Sequence, residues 1–151
     1  MRPWERMLTI RQATDKDLAF LTGVFLRAMQ AQITAARGYW EEGKERRQFH
    51  EQLQLGKTQI IVRDGIDVGF FMLVPLGQDT ELHTICVAPE LQRRGIGTAI
   101  TRQVIDEARS QKRAVVLSVL KANAAARSLY ERLGFAVIEE SSSHYRMRRP
   151  E

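Results

Sequence analysis

The run Val87-Ala88-Pro89-Glu90-Leu91-Gln92-Arg93-Arg94-Gly95-Ile96-Gly97-Thr98-Ala99-Ile100 sets two arginines and two glycines between an apolar segment and a helical pattern. That arrangement suits a phosphate or pyrophosphate. Backbone N–H groups at a helix start have no partners inside the helix, and the helix dipole adds positive potential there. Without a Cβ at Gly95 and Gly97, an anion can approach the main chain closely. Arg93 and Arg94 bring charge to the same mouth. The run is not a P-loop, because Thr98-Ala99 follows Gly97 where Lys-Ser/Thr would stand. Nor is it a dinucleotide fingerprint, because Ile100 occupies the place of its third small residue. A capped helix with exposed arginines is the plain alternative for the loop taken alone.

The elements that must hold this loop can be read from periodicity. Met7 to Arg11 alternates apolar and polar and predicts a first strand. Thr14-Asp15-Lys16-Asp17 resembles an N-cap with an acid three residues on, and Leu18, Leu21, Phe25, Met29 and Ile33 extend a helix to about Ala35. Gly38 ends it. A second, more polar helix is predicted over Trp40 to Leu55, stopped by Gly56. Thr58 to Arg63, Asp67 to Pro75 and Glu81 to Val87 form an antiparallel meander, with Asp64-Gly65 and Gly77 to Asp79 as turns. After the loop, a helix runs to about Gln111, followed by an apolar strand from Ala114 to Leu120. This strand should pair in parallel with the one before the loop. Asn123 to Leu133 is a further helix capped by Gly134. Phe135 to Glu139 and His144 to Arg148 close the chain as a hairpin around Ser141-Ser142-Ser143. The order is βααβββαβαββ, an α/β domain on a mixed sheet.

At 151 residues the chain suits one domain, 1–151, with a single core. Hydrophobic residues make up 44% and charged residues 27%, an ordinary globular balance. No apolar run approaches the length of about 18 residues that spans a membrane, and Met1 to Thr9 lacks the apolar stretch of a secretory signal. The single cysteine, Cys86, has no intrachain partner, and metal-ligand spacing is absent, so a reducing cytoplasm and no metal are expected. The net charge of +5 is scattered rather than blocked. A nucleic-acid-binding protein is therefore disfavoured, while an anionic nucleotide ligand would use the surplus equally well.

A second motif follows the loop at a distance of about 30 residues: Asn123-Ala124-Ala125-Ala126-Arg127-Ser128-Leu129-Tyr130-Glu131-Arg132-Leu133-Gly134-Phe135. It is similar to the Asn-x-x-Ala-x-x-Leu-Tyr-x-x-x-Gly-Phe signature of the GCN5-related N-acetyltransferase (GNAT) superfamily. The Gln92-x-x-Gly95-x-Gly97 loop resembles that family's acyl-CoA loop, and the element order is also the family's. The resemblance implies a mixed sheet whose fourth and fifth strands splay apart to admit acetyl-CoA as cosubstrate. The pantetheine arm would bond to the backbone of Ile85, Cys86 and Val87 like an added strand. The pyrophosphate would rest on N–H groups of Arg94, Gly95, Gly97 and Thr98, around Ile96. Arg93 and Arg94 would reach the nucleotide's phosphates.

Direct transfer to an amine needs a neutral nucleophile, a donor for the oxyanion and a proton for the departing thiolate. Tyr130 matches the last role, since a phenol with pKa of about 10 suits an alkyl thiolate; its alternative is a core position beside Ala126 and Leu133. Asn123 reads as a helix N-cap, as a ligand of the pantetheine arm, or both. Ser128 is a contact to the same arm or a solvated helix residue. A backbone N–H at Val87 is the expected oxyanion donor. Cys86 reads as a buried small hydrophobe rather than a nucleophile. Glu81, ahead of His83, is the candidate general base, on the expectation that both share a strand face with Ile85. His50 and His144 read as ordinary surface or helix residues. The acceptor pocket implied by the resemblance draws on Tyr39, Trp40, Glu41 and Glu42, and on Ser141 to Tyr145, although Glu41-Glu42 also fits a plain helix first turn. The expected partners are acetyl-CoA and an amine acceptor, with no nucleic acid and no membrane, and with a homodimer as the common default. A rival reading is a CoA-binding regulatory domain that kept the fold and lost turnover.

Overall fold

The computed structural model describes residues 8–151. Its elements are β1 (Leu8–Gln12), α1 (Leu18–Arg37), α2 (Glu42–Gln52), β2 (Thr58–Arg63), β3 (Ile66–Leu76), β4 (Asp79–Val87), α3 (Ile96–Ser110), β5 (Val115–Leu120), α4 (Ala124–Arg132), β6 (Ala136–Glu140) and β7 (His144–Arg149). The order βααβββαβαββ is the one the periodicity predicts. Met7, expected to start the first strand, and most of the segment read as lacking a secretory signal lie outside the described residues.

One seven-stranded sheet runs in the order β1-β2-β3-β4-β5-β7-β6. Every neighbouring pair is antiparallel except β4 and β5, which are parallel. Side chains alternate across each strand, so the sheet builds two cores. On one face Ile61, Phe71, Leu82, Leu117 and Met147 pack with Ile100 and Val104 of α3 and Tyr130 of α4. On the other, Ile60, Phe70 and Cys86 pack with Leu21 and Val24 of α1 and Phe49 of α2. Phe49 stacks on Phe25 at 4.4 Å and tilts against Phe70 at 5.8 Å, and this joins both helices to the sheet.

The entry to α1 is pinned electrostatically. The Asp17 carboxylate accepts the Thr14 N–H at 2.8 Å, and Arg11 of β1 binds Asp17 at 2.9 Å and Asp67 of β3 at 2.7 Å. The Arg11 guanidinium holds the Asp17 carboxyl below the usual carboxylate range. The second helix is shorter than expected: it ends at Gln52, Leu53 turns extended with ψ 127°, and Gly56 sits in a short 3-10 turn. Leu53 and Leu55 both pack into the α1-side core. Residues two apart cannot share one helix face, so the helix must unwind to bury both.

The sheet opens at β4. Met72 pairs with Thr84, but the next residue, Leu73, pairs with Leu82, which leaves His83 as the extra residue of a bulge. Towards β5 only Thr80 and Glu81 are paired, with Val115 and Val116. On its other edge β5 is paired with β7 along its whole length, from Val115 to Leu120. From Leu82 onward β4 therefore has a free edge, while β3 holds its other edge close. A Cβ on Gly69 would stand 2.3 Å from the Cys86 carbonyl oxygen and 3.1 Å from Val87 Cα. Gly69→Ala must therefore displace the β4 backbone at Cys86 and Val87. The expected cost is about 1–3 kcal/mol, read as an earlier urea midpoint with an unchanged slope, together with weaker coenzyme A binding by calorimetry.

Candidate active site

The glycine loop forms the turn that the sequence requires. Ala99 is the first residue of α3 whose N–H reaches back into the helix, to the Gly95 carbonyl at 3.0 Å. The N–H groups of Gly95, Ile96, Gly97 and Thr98 consequently have no helical partner. Gly95 is the N-cap, with φ 83°, and Arg93 is held in the left-handed region at φ 64°. For a non-glycine residue that conformation costs about 1–2 kcal/mol, and the cost falls on the loop that turns those amides outward. Gln92 donates its side-chain N–H to the Val87 carbonyl at 3.1 Å, which ties the loop to the end of β4. Gly97 lines the adjoining cavity, and a Cβ there would meet nothing within 4 Å. Protein packing thus makes no demand for glycine at this position; the cavity alone has a use for the space.

That cavity, about 490 Å³, runs from Arg93, Gly95, Gly97 and Thr98 past Ile85 and Val87 to Asn123 and Tyr130. Asn123 caps α4, its side-chain oxygen accepting the Ala126 N–H at 3.1 Å, and its amide nitrogen stays available to the cavity. Two expected side-chain contacts are not brought in, and the third residue, Cys86, offers the cofactor its backbone only. The Cys86 side chain turns to the α1-side core, where burial pushes its thiol up to about 12. Arg94 and Ser128 are exposed and line neither this cavity nor the adjoining one between the helices and the sheet gap. Two residues missed in sequence are Gln32 on α1 and Arg132 at the end of α4, both of which line this cavity. Nothing local marked them, since each arrives by tertiary packing.

A second cavity of about 370 Å³ lies between α1 and α2 on one side and the β4–β5 gap on the other. The two share Gln32, Ile85, Asn123, Ala126 and Tyr130. Tyr130 sits at this junction with 9% of its surface exposed and its ring edge-on to Phe135 at 5.6 Å. Among the described residues its hydroxyl has no hydrogen-bond partner, although it faces the space common to both cavities. No buried side-chain polar atom among the described residues lacks a partner, so this hydroxyl is open to the cavities and not sealed in the core. Burial, with a smaller contribution from Cys86, pushes the phenol up to about 12, so it keeps its proton.

Glu81 requires a correction. The bulge at His83 resets the alternation, so Ile85 shares a face with Leu82 and not with Glu81. Glu81 stands in the paired part of β4, its carboxylate 2.6 Å from Arg146, and does not line the second cavity. His83 does line it, with its ring 3.0 Å from the Thr84 hydroxyl. The expected acceptor wall also moves. Tyr39 to Glu42 are absent from the lining, and of the expected Ser141 to Tyr145 only His144 of β7 is present; Arg37 at the end of α1 and Glu45 and Phe49 of α2 form the rest. Glu45 is buried and bound to Arg37 at 2.5 Å. Tyr145 faces the α4 side, beneath Arg127 at 4.1 Å and Lys121 at 5.2 Å. Among the described residues no cluster of acids, histidines or cysteine is placed to hold a metal, and no helix is long and apolar enough to cross a membrane.

A sheet split after two residues of parallel pairing, with an anion cradle at one end of the gap and a buried phenol at its middle, defines an acyl-transferase fold of the CoA-using kind. The chain belongs to the Acetyltransferase (GNAT) family, whose model matches residues 25–135. It is 37% identical over 78 residues to the ribosomal protein bS18-alanine N-acetyltransferase of Escherichia coli, covering 50% of this chain and 51% of that one. It is 37% identical over 87 residues to the N-alpha-acetyltransferase RimI of Mycobacterium tuberculosis, covering 55% and 54%. The match thus spans about half the length of these curated relatives. Among solved structures, the PaiA N-acetyltransferase of Thermoplasma acidophilum in complex with coenzyme A shares the fold with a TM-score of 0.79 at 21% identity, over 95% of this chain and 99% of that one. The Escherichia coli ribosomal-protein-S18-alanine enzyme does so with a TM-score of 0.71 at 24% identity, over 95% and 94%.

Gly97→Ala separates cofactor binding from folding. The substitution should raise the thermal midpoint of the free protein, because alanine is favoured over glycine in a helix by about 0.5–1 kcal/mol. It should weaken coenzyme A binding by about tenfold, or 1.4 kcal/mol, as read by calorimetry.

Proposed function

We propose that this protein moves the acetyl group of acetyl-CoA directly to a primary amine, on a small molecule or a peptide, with no acyl-enzyme intermediate. The observation that carries the reading is Tyr130: a nearly buried phenol, unpartnered, at the one place where the two cavities meet. In this reading the pyrophosphate lies on the free amides of Gly95 to Thr98, near Arg93. The pantetheine arm follows the unpaired edge of β4 at Ile85 to Val87, and Asn123 donates to it. A backbone N–H of that edge, at Val87, polarises the thioester carbonyl. The amine enters from the cavity under α1 and α2 and attacks the carbonyl carbon. As the C–S bond breaks, Tyr130 gives its proton to the departing sulfur. With a proton affinity near 12, the phenol is neutral at any working pH and can serve only as a donor. The names of the two relatives support a peptide amino terminus, with alanine first, as the acceptor to try before others. The lone cysteine supports a reducing compartment such as the cytoplasm.

Incubation with acetyl-CoA and an alanine-initiated peptide, alongside a panel of alkyl amines, should release free thiol and yield acetylated amine. Failure to bind coenzyme A, or binding without transfer to any amine, would overturn the proposal. Tyr130→Phe should lower kcat by about 10²–10⁴-fold while leaving the Kd for acetyl-CoA unchanged. Equal turnover by the variant across pH would remove the phenol from the chemistry.

A further inference from the structure

An alkyl amine at neutral pH is an ammonium ion without a lone pair, so the acceptor cavity needs a proton acceptor. Its titratable lining is Arg37, Glu45, His83, His144 and Tyr130. Arg37 and Glu45 neutralise one another. Tyr130 retains its proton. His83 is exposed on the bulge, its Nδ1 beside its neighbour's hydroxyl. His144 differs from all of these. It stands opposite Leu120 at the open end of the split, half-buried. Its position is fixed twice, its N–H donating to Ser141 Oγ at 3.1 Å and its Nδ1 lying 2.7 Å from Ser143 Oγ. With the proton on Nδ1 and donated to Ser143, Nε2 carries the lone pair, and it has no partner among the described residues.

We propose that His144 is the general base, taking a proton from the acceptor's ammonium at Nε2; the inference rests on the acetyl-transfer reading above. Each element packed around it leaves that nitrogen neutral and available. From α1 comes Arg37, and from α2 comes Glu45, already bound to it. On β7 itself Arg146 is held by Glu81 and by the Ser118 hydroxyl. On β6 Glu140 is taken by Lys121, and Glu139 lines a small outer recess shared with His144. Burial, and after it the charge of Arg37, hold the imidazole below the usual histidine range. The step balances. The N–H bond of the ammonium breaks and its proton passes to Nε2. The nitrogen lone pair forms the C–N bond, and the C–S electron pair leaves with sulfur. Sulfur takes the Tyr130 proton, the second amine proton restores the phenol, and the imidazolium releases its own to solvent.

The test compares two acceptors: an alanine-initiated peptide, and the same peptide ending in an aminooxy group, which has already lost its proton at pH 7 and needs no base. The wild-type kcat/KM for the alanine peptide should fall along an acid limb centred below about 6.5. His144→Gln should lower it by about 10²–10⁴-fold at pH 7 and move the acid limb up to the ionisation of the peptide amine itself, at about 8, yet transfer to the aminooxy peptide within a few-fold of wild type. Unchanged acetyl-CoA affinity confirms that the variant is folded. Should it not fold, Ser143→Ala, which releases Nδ1, should slow the alanine peptide and spare the aminooxy one. An equal loss on both acceptors, or an acid limb in the variant still centred below about 6.5, overturns the inference. Absence of transfer by the wild-type protein overturns the acetyl-transfer reading, and this inference with it.

Discussion

The structure depends on a parallel strand pair that stops after two residues. β4 and β5 meet only at Thr80–Val115 and Glu81–Val116. A sheet of this size would gain by zipping the two strands further, since each unpaired backbone group must find another partner. The bulge at His83 prevents it, by adding a residue to β4 and twisting the strand away while Gly69 keeps its other edge against β3. The ladder left unmade is the route through the sheet, and it offers main-chain donors and acceptors to whatever occupies it.

That route connects two unlike surroundings. On the α3 and α4 side the gap ends at unpaired amides and an arginine, a setting for phosphate. On the α1 and α2 side it ends in a slot whose one carboxylate and one guanidinium, Glu45 and Arg37, are bound to each other. Matched charges leave little net field, so a cation meets no strong repulsion there, although the protein carries a surplus of +5. At the opposite mouth Arg93 and Arg132 line the cavity.

What was legible in the sequence was local. Gly95 and Gly97 announce a turn and a helix start, Asn123 announces its cap, and the apolar periods give each strand and helix in order, because turns, caps and alternation are decided by neighbours in the chain. The bulge was not legible: His83 sits in an unbroken strand pattern, without glycine or proline to mark it. One inserted residue flips every side chain beyond it to the other face, and for that reason Glu81 and Ile85 could not share the face that simple alternation gave them. Partners distant in sequence were equally hidden. Arg146 meets Glu81 across 65 positions (146 − 81), and Arg37 meets Glu45 only because the chain reverses at Gly38. The acceptor wall is made of such encounters, so its lining fell one to two turns further along α2 than composition suggested.

Acid–base chemistry in a site of this kind requires two groups with opposite assignments at one pH, and the split sheet supplies two environments. Tyr130 rises from α4 into the buried middle of the gap, where burial disfavours phenolate and lifts its proton affinity to about 12. His144 stands on the far strand at the open end, where burial and a fixed guanidinium disfavour imidazolium. The same physical cause, desolvation of the charged form, thus acts on both but in opposite chemical directions: it keeps the proton on one group and keeps it off the other. Neither residue would be so poised if β4 and β5 closed, because the phenol would then be walled off from the acceptor side.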